Sequence, residues 1–203
     1  MKRRNGLWTL VSGDIRAKAA WLYDRDDRNA CLRALFADGT AAMLLYRCMQ
    51  WAGTKKLAPL EMLFNKLCVL GGGCVIGRGA EFGERFVLIH SNGVVINGAV
   101  RGGDDVRLEH QVTIGAEGGE SPQLGNNVFV GAGAKILGSV HIGDDAKIGA
   151  NAVVTKSVSC GATAVGVPAR ELPRSSGTAD SDSKARGGKY IGQHGDKDSN
   201  QNP

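Results

Sequence analysis

Residues 130–149 read Val130-Gly131-Ala132-Gly133-Ala134-Lys135-Ile136-Leu137-Gly138-Ser139-Val140-His141-Ile142-Gly143-Asp144-Asp145-Ala146-Lys147-Ile148-Gly149, with an aliphatic side chain at every sixth position: Val130, Ile136, Ile142 and Ile148. Followed outward, the frame takes in Leu124 and Val154. Before a gap at Gly118 it also holds Ile76, Phe82, Leu88, Val94, Val100, Val106 and Val112, thirteen positions in all. Neither the 3.6-residue period of an α-helix nor a two-residue alternation produces this spacing. It is the spacing of a hexapeptide β-helix, in which each unit supplies one short strand and a turn, and three units close a triangular coil of roughly 18 residues. The frame residue points into a narrow prism, where branched Val and Ile suit the extended backbone. The glycine that often follows it, as at Gly77, Gly83 and Gly131, relieves the corner because it lacks a Cβ.

Composition agrees. Thirty glycines and 5% aromatic residues suit a solenoid filled by small aliphatics, and 203 residues allow one principal domain with an appendage. The net charge of +5 comes from scattered basic residues with no aromatic-basic motif beside them, which argues against nucleic acid and for a solvated surface or attraction to an anionic ligand. Five cysteines without a CxxC pair indicate neither a disulfide framework nor a zinc site, and no metal is expected. The basic start Met1-Lys2-Arg3-Arg4 precedes an apolar stretch, Leu7–Val11, too short for a signal peptide and interrupted by Asp14 and Arg16. No segment approaches a membrane span, so a cytoplasmic location is expected, with at most peripheral membrane contact through Trp8 and the basic start.

The chain divides into a helical region over 1–73, the hexapeptide domain over 74–172 and a Ser-, Gly-, Asp- and Lys-rich tail over 173–203, expected to be disordered. In the first region Ser12 is expected to cap a helix presenting Ile15, Ala19 and Leu22, and Thr40 another presenting Leu44, Leu45, Cys48 and Trp51. A third, from Pro59, is expected to bury Leu60, Leu63, Phe64 and Leu67, before Gly71-Gly72-Gly73 ends it. The glycine-rich acidic stretch from Ala116 to Pro122 is read as a loop protruding from the solenoid.

Within the repeats, Leu88-Ile89-His90-Ser91-Asn92-Gly93-Val94-Val95-Ile96, Val112-Thr113-Ile114-Gly115, Val130 to Gly138 and Gly166-Val167-Pro168-Ala169-Arg170 resemble the serine acetyltransferase family of hexapeptide acyltransferases. Upstream, Gly39 and Tyr46-Arg47 stand where that family's helical domain has a glycine and a Tyr-Arg pair. His90–Asn97 and Asp104-Asp105 also resemble the subgroup that acetylates sugars of cell-surface polysaccharides. The resemblance implies a left-handed β-helix, acetyl-coenzyme A as co-substrate and acetyl transfer to a hydroxyl of a small molecule or glycan.

An alcohol must lose its proton as it attacks a thioester, and a neutral histidine suits that task. His90 matches the family's base, and His110, one coil on, is the second candidate. Ala132 and Ala150 are spaced one coil apart, so their small side chains stack and leave a groove for a pantetheine arm. Lys147, Lys156 and Arg170 offer cations to phosphates, and Thr155-Lys156 and Arg170 resemble coenzyme A positions of related enzymes. Asp24 falls where the family has an acceptor-binding acid.

The sequence also departs from the family. Val75 replaces the aspartate that orients the base, leaving Glu109 or a backbone carbonyl to take that part. Ile89 stands where an aspartate precedes the base, and Glu120-Ser121 precede Pro122 where the family has an Arg-His pair. These losses favour a sugar acceptor, while overall similarity favours L-serine; a non-catalytic solenoid scaffold is the third reading. One prism is too narrow to enclose coenzyme A, and the family's site lies between neighbouring solenoids, so a cyclic homotrimer is expected.

Overall fold

The computed structural model describes residues 6–173, so the tail expected from 173 onward lies, beyond Pro173, outside the described residues. Four helices come first: α1 (Leu7–Tyr23), α2 (Arg28–Leu35), α3 (Thr40–Thr54) and α4 (Ala58–Gly72). Fifteen short strands follow: β1 (Val75–Ile76), β2 (Glu81–Phe82), β3 (Val87–Leu88), β4 (Val95–Ile96), β5 (Arg101–Gly102), β6 (Arg107–Leu108), β7 (Thr113–Gly115), β8 (Gln123–Leu124), β9 (Phe129–Val130), β10 (Lys135–Leu137), β11 (His141–Ile142), β12 (Lys147–Ile148), β13 (Val153–Val154), β14 (Thr163–Val165) and β15 (Arg170–Glu171). They form three parallel faces: β1-β4-β7-β10-β13, β2-β5-β8-β11 and β3-β6-β9-β12-β14, the last closed by antiparallel β15. Each strand is short because the chain turns a corner of the prism about every six residues.

All thirteen frame residues are at most 5% exposed. The coils, however, are not uniform. Leu124, Val130 and Ile136 pair with Ile142, Ile148 and Val154 at the expected spacing of 18. In the first coil Ile76 pairs with Ile96 and Leu88 with Leu108, a spacing of 20. Two extra residues sit at the corner after β3, where His90 lies. Because side chains alternate along an extended chain, a shift of two keeps every apolar residue facing inward. The frame thus passes from one inward ladder (Ile76, Ile96, Ile114, Ile136, Val154) to its neighbour (Cys74, Val94, Val112, Ala134, Ala152) without a break, and both ladders are buried. The miss at Gly118 marks the second insertion: between Gly115 and Gln123 the chain leaves the coil, turns through Gly118 and Gly119 at φ +60° and +86°, and returns across a Glu117–Glu120 bridge.

The helices depart from expectation in their caps and faces. α1 starts at Leu7 after Gly6, and Ser12 lies inside it with its hydroxyl donating to the Thr9 carbonyl at 3.1 Å. The apolar run before Ser12 simply continues the helix. Thr40 opens α3 but Gly39 holds the N-cap, while the Thr40 hydroxyl donates to the Ala34 carbonyl at 2.6 Å. Asp27 caps the short α2 by accepting from the N–H groups of Asn29 and Ala30, so part of the acidic run around it serves a helix start.

On α3 the buried residues are Thr40, Ala42, Met43, Tyr46, Arg47, Met49 and Ala52, whereas Trp51 is 36% exposed. On α4 the face toward the core carries Phe64 and Cys68, with Leu63 and Leu67 exposed. Of the expected faces, Ile15, Ala19, Leu45 and Phe64 do pack inward; the rest differ because polar groups dominate the contact. The Tyr46 hydroxyl accepts from the Phe82 N–H at 3.0 Å and donates to the Ala80 carbonyl at 3.1 Å. Arg47 donates to the carbonyls of Phe82 (3.0 Å) and Gly83 (2.6 Å) and grips Asp14 through Nε (2.7 Å) and Nη2 (3.0 Å). Asp14 in turn accepts from the Phe86 N–H at 3.0 Å. Both charged side chains are almost completely buried, and burial raises the Asp14 carboxyl above its ordinary range against the pull of Arg47. The buried pair is tolerated because every charged atom has a partner. It locks α1 and α3 onto the first coil.

Candidate active site at the first corner of the solenoid

The corner that follows β3, β6, β9 and β12 carries one residue per coil two positions past the paired residues Leu88, Leu108, Val130 and Ile148. Those residues are His90, His110, Ala132 and Ala150. His110, Ala132 and Ala150 share one turn position, which Asn92 holds in the first coil; His90 stands two residues before Asn92, in the two-residue insertion, and its ring is brought beside that of His110. The imidazole centroids of His90 and His110 are 5.9 Å apart at 73°. Both side chains remain nearly half exposed, 46% and 47%, so the rings reach solvent from a rigid backbone.

Each imidazole has a carboxylate at Nδ1. Glu109 Oε2 lies 3.5 Å from His110, and Asp38 Oδ2 lies 3.4 Å from His90. The sequence left Glu109 or a backbone carbonyl as the partner of His90; in the structure Glu109 lies at its own neighbour His110, and the carboxylate at His90 comes from the turn between α2 and α3. Val75, by contrast, is an outward-facing aliphatic on β1 that cannot accept a hydrogen bond through its side chain.

Behind the two pairs sits Lys18 of α1, whose side chain is buried. Its ammonium donates to the carbonyls of Asp38, Leu88 (2.7 Å) and Ile89 (3.4 Å), tying the Asp38 turn to the residues that lead into His90. Burial lowers the Lys18 amine to about 8, against the raising influence of Asp38 and Glu109. Gly39 completes the joint. Its φ is +75°, and a Cβ there would meet the Leu88 carbonyl oxygen at 2.5 Å, so only glycine lets the turn lie this close to the solenoid. The sequence offered no route to Lys18 or Asp38: both are dozens of residues from His90 and are brought to it only by the docking of α1 and α3.

The remaining candidates are distributed along the later coils. Lys156 and Arg170 line one cleft of about 290 Å³ with Ala169 and Glu171 at the end of the solenoid. Thr155, just after β13, is exposed, and Lys147 projects outward from β12 beside Phe129 and Thr163 of the adjoining strands. Asp24 closes α1 as its C-cap in the left-handed region, φ 54°, with its N–H donating to the Ala20 carbonyl. Among the described residues no group of three or more His, Cys, Asp or Glu is placed to hold a metal ion, and no helix is long and apolar enough to cross a membrane. A second concavity of about 530 Å³ opens between the start of α1, α3 and the β2–β5 face, lined by Leu7, Gln50, Trp51, Glu81 and Arg101. It contains no histidine. At the solenoid corner, by contrast, two imidazoles with carboxylate partners face solvent.

Comparison with known proteins agrees with this geometry. The family model "Bacterial transferase hexapeptide (six repeats)" matches residues 121–156. The serine acetyltransferase of Helicobacter pylori is 38% identical over 151 residues, spanning 72% of this chain and 88% of that protein. The crystal structure of the Neisseria gonorrhoeae serine acetyltransferase superposes with a TM-score of 0.74 at 31% identity, covering 85% of this chain and 68% of that one. A serine acetyltransferase solved in complex with CoA matches with a TM-score of 0.72 at 29% identity, over 82% of this chain and 69% of the other. These likenesses extend over most of the described chain, and the chain belongs to the serine acetyltransferase family of acyltransferases.

Proposed function

We propose that this chain is an acetyl-CoA-dependent O-acetyltransferase that acetylates the hydroxyl of L-serine. The observation that carries the transfer chemistry is His90, a solvent-facing imidazole on a fixed corner with a carboxylate at Nδ1 and a column of small residues beyond it. The acceptor follows from the likeness to serine acetyltransferases over most of both chains. In the proposed reaction Nε2 of His90 accepts the hydroxyl proton as the oxygen attacks the thioester carbonyl carbon. The tetrahedral intermediate then collapses with cleavage of the carbon–sulfur bond, and the imidazolium returns the proton to the departing CoA thiolate. His110, 5.9 Å away, positions the acceptor. Ala132 and Ala150 leave the corner open for the pantetheine arm, and Lys147, Thr155, Lys156 and Arg170 receive the phosphates. Asp24 is retained as an acceptor-binding candidate on resemblance alone. We place the reaction in the cytoplasm and the site in a cleft shared between solenoids of a homotrimer. The half-exposure of both histidines and the exposed apolar side chains of Met62, Leu63, Leu70, Val75 and Val95 support a covering neighbour.

A second acceptor, a sugar hydroxyl of a cell-surface glycan, is favoured by one group of observations. Ile89 is buried and apolar where the family has an aspartate that helps bind the amino acid, and Glu120-Ser121 stand where it has an Arg-His pair before the proline. Release of free CoA from acetyl-CoA, followed with L-serine, hexoses and lipid-linked glycans in parallel, decides between them. Saturable turnover with L-serine alone supports the first reading, turnover with a glycan alone supports the second, and hydrolysis without any acceptor dependence contradicts both.

A further inference from the structure

We infer that Asp38 is the positioning residue for the catalytic base, and that the helical region supplies it to the solenoid. The inference rests on the reading of His90 as base, and three independent features of the structure carry it.

The first is contact. Asp38 Oδ2 lies 3.4 Å from Nδ1 of His90, within ion-pair range and longer than a formed N–H···O bond. Catalytic hydrogen bonds tend to be long before substrate is bound and to tighten in the reacting complex. A carboxylate at Nδ1 holds the proton there, which leaves the Nε2 lone pair to accept the acceptor's proton, and it stabilises the imidazolium that forms.

The second is that the turn bearing Asp38 is clamped to the turn bearing His90. The Lys18 ammonium bridges the Asp38 carbonyl to those of Leu88 and Ile89, and Gly39 lets the two backbones approach to a distance that any Cβ would forbid. Asp38 itself is 83% exposed on its side chain, so its carboxylate contributes little to the packing that this clamp creates. A costly buried lysine stationed behind an exposed carboxylate makes sense when the carboxylate's position matters.

The third is that the carboxylate and the side chain the sequence pointed to are not the ones found at His90. Glu109 lies at His110, and Val75 offers no polar side-chain atom. Among the described residues, the charged and titratable groups seen at the two imidazoles are Lys18 of α1, Asp38 of the α2–α3 turn, and Glu109 and His110 of the second corner.

The test uses the full chain with Asp38→Asn, Asp38→Ala and Asp38→Glu, measured for kcat and for KM of acetyl-CoA across pH, together with the tautomer of His90 read by 15N NMR of histidine-labelled protein. The His90 signal is assigned by its loss in His90→Gln. Removing the carboxylate is expected to lower kcat about 10- to 100-fold with KM for acetyl-CoA within about twofold, a smaller effect than for a buried partner because the pair is solvated. Asp38→Glu restores part of the loss. The His90 tautomer shifts from the Nδ1–H form toward Nε2–H in the Ala variant, and Asp38→Ala adds nothing to the defect of His90→Ala. An unchanged tautomer and unchanged kcat in Asp38→Ala overturn the inference, as does a loss that multiplies undiminished onto His90→Ala. If His90→Ala alone keeps full turnover, the base assignment fails, and the tautomer measurement still decides whether Asp38 holds the Nδ1 proton.

Discussion

Replacing Asp14 by alanine strikes the joint on which the site's geometry depends. The carboxylate accepts two hydrogen bonds from Arg47, at 2.7 and 3.0 Å, and one from the Phe86 N–H, also at 3.0 Å. Its removal leaves a guanidinium with no exposed surface facing a hole, although Gln50 and the carbonyls of Phe82 and Gly83 still receive part of its donors. Breaking a buried ion pair on one side costs about 3–5 kcal/mol, because the survivor stays charged and desolvated. For a chain of this size each kcal/mol moves Tm by about 2–4 °C, so Asp14→Ala should melt about 6–20 °C below wild type. The comparison is made by calorimetry at one protein concentration, since assembly makes Tm concentration-dependent. The double variant Asp14→Leu with Arg47→Met, which removes both charges and keeps volume, should recover much of the loss. A drop below about 3 °C for Asp14→Ala would refute the argument that this pair anchors the helices to the first coil.

Two further outcomes follow from the same joint. Lys18 carries a folded-state value of about 8 against an ordinary 10.5, so the unfolded chain binds its proton more tightly. Its contribution to stability is therefore complete above the unfolded value and lost as pH falls toward 8. Melting curves between pH 7.5 and 10 should show wild type gaining on Lys18→Met as pH rises, and a gap that is flat or narrows contradicts the assignment. Gly39→Ala places a Cβ against the Leu88 carbonyl at positive φ, and should cost about 2 kcal/mol and lower kcat by moving Asp38 away from His90. Chemical denaturation and turnover together check it, and a variant unchanged in both would contradict the close approach.

The prism was legible in the sequence because its core is a pure aliphatic period, and every residue of that period is buried. Even the two-residue insertion at His90-Ser91 left the period intact, since a shift of two preserves the inward face. The same tolerance hid the 20-residue first coil from a reading that counted sixes. Ala132 and Ala150 could be stacked because they ride on that period, and His110 could be put near the face of His90, although His90 itself lies in the insertion. The helices were less legible for the opposite reason. Asp14, Lys18, Tyr46 and Arg47 are buried to satisfy backbone groups on the solenoid, whereas apolar periodicity assigns such residues to water. Asp38 was missed on the same ground: an exposed acid before a helix carries no mark of its partner until α1 and α3 dock.

The central claim is that His90 takes the acceptor's proton. General base catalysis typically contributes about a hundredfold to ten-thousandfold, so His90→Ala should lower kcat by that factor while the affinity for acetyl-CoA, measured by calorimetric titration, stays within about twofold. A His90→Ala enzyme that keeps wild-type kcat across the pH range would remove His90 from the mechanism and leave His110 as the base at this corner.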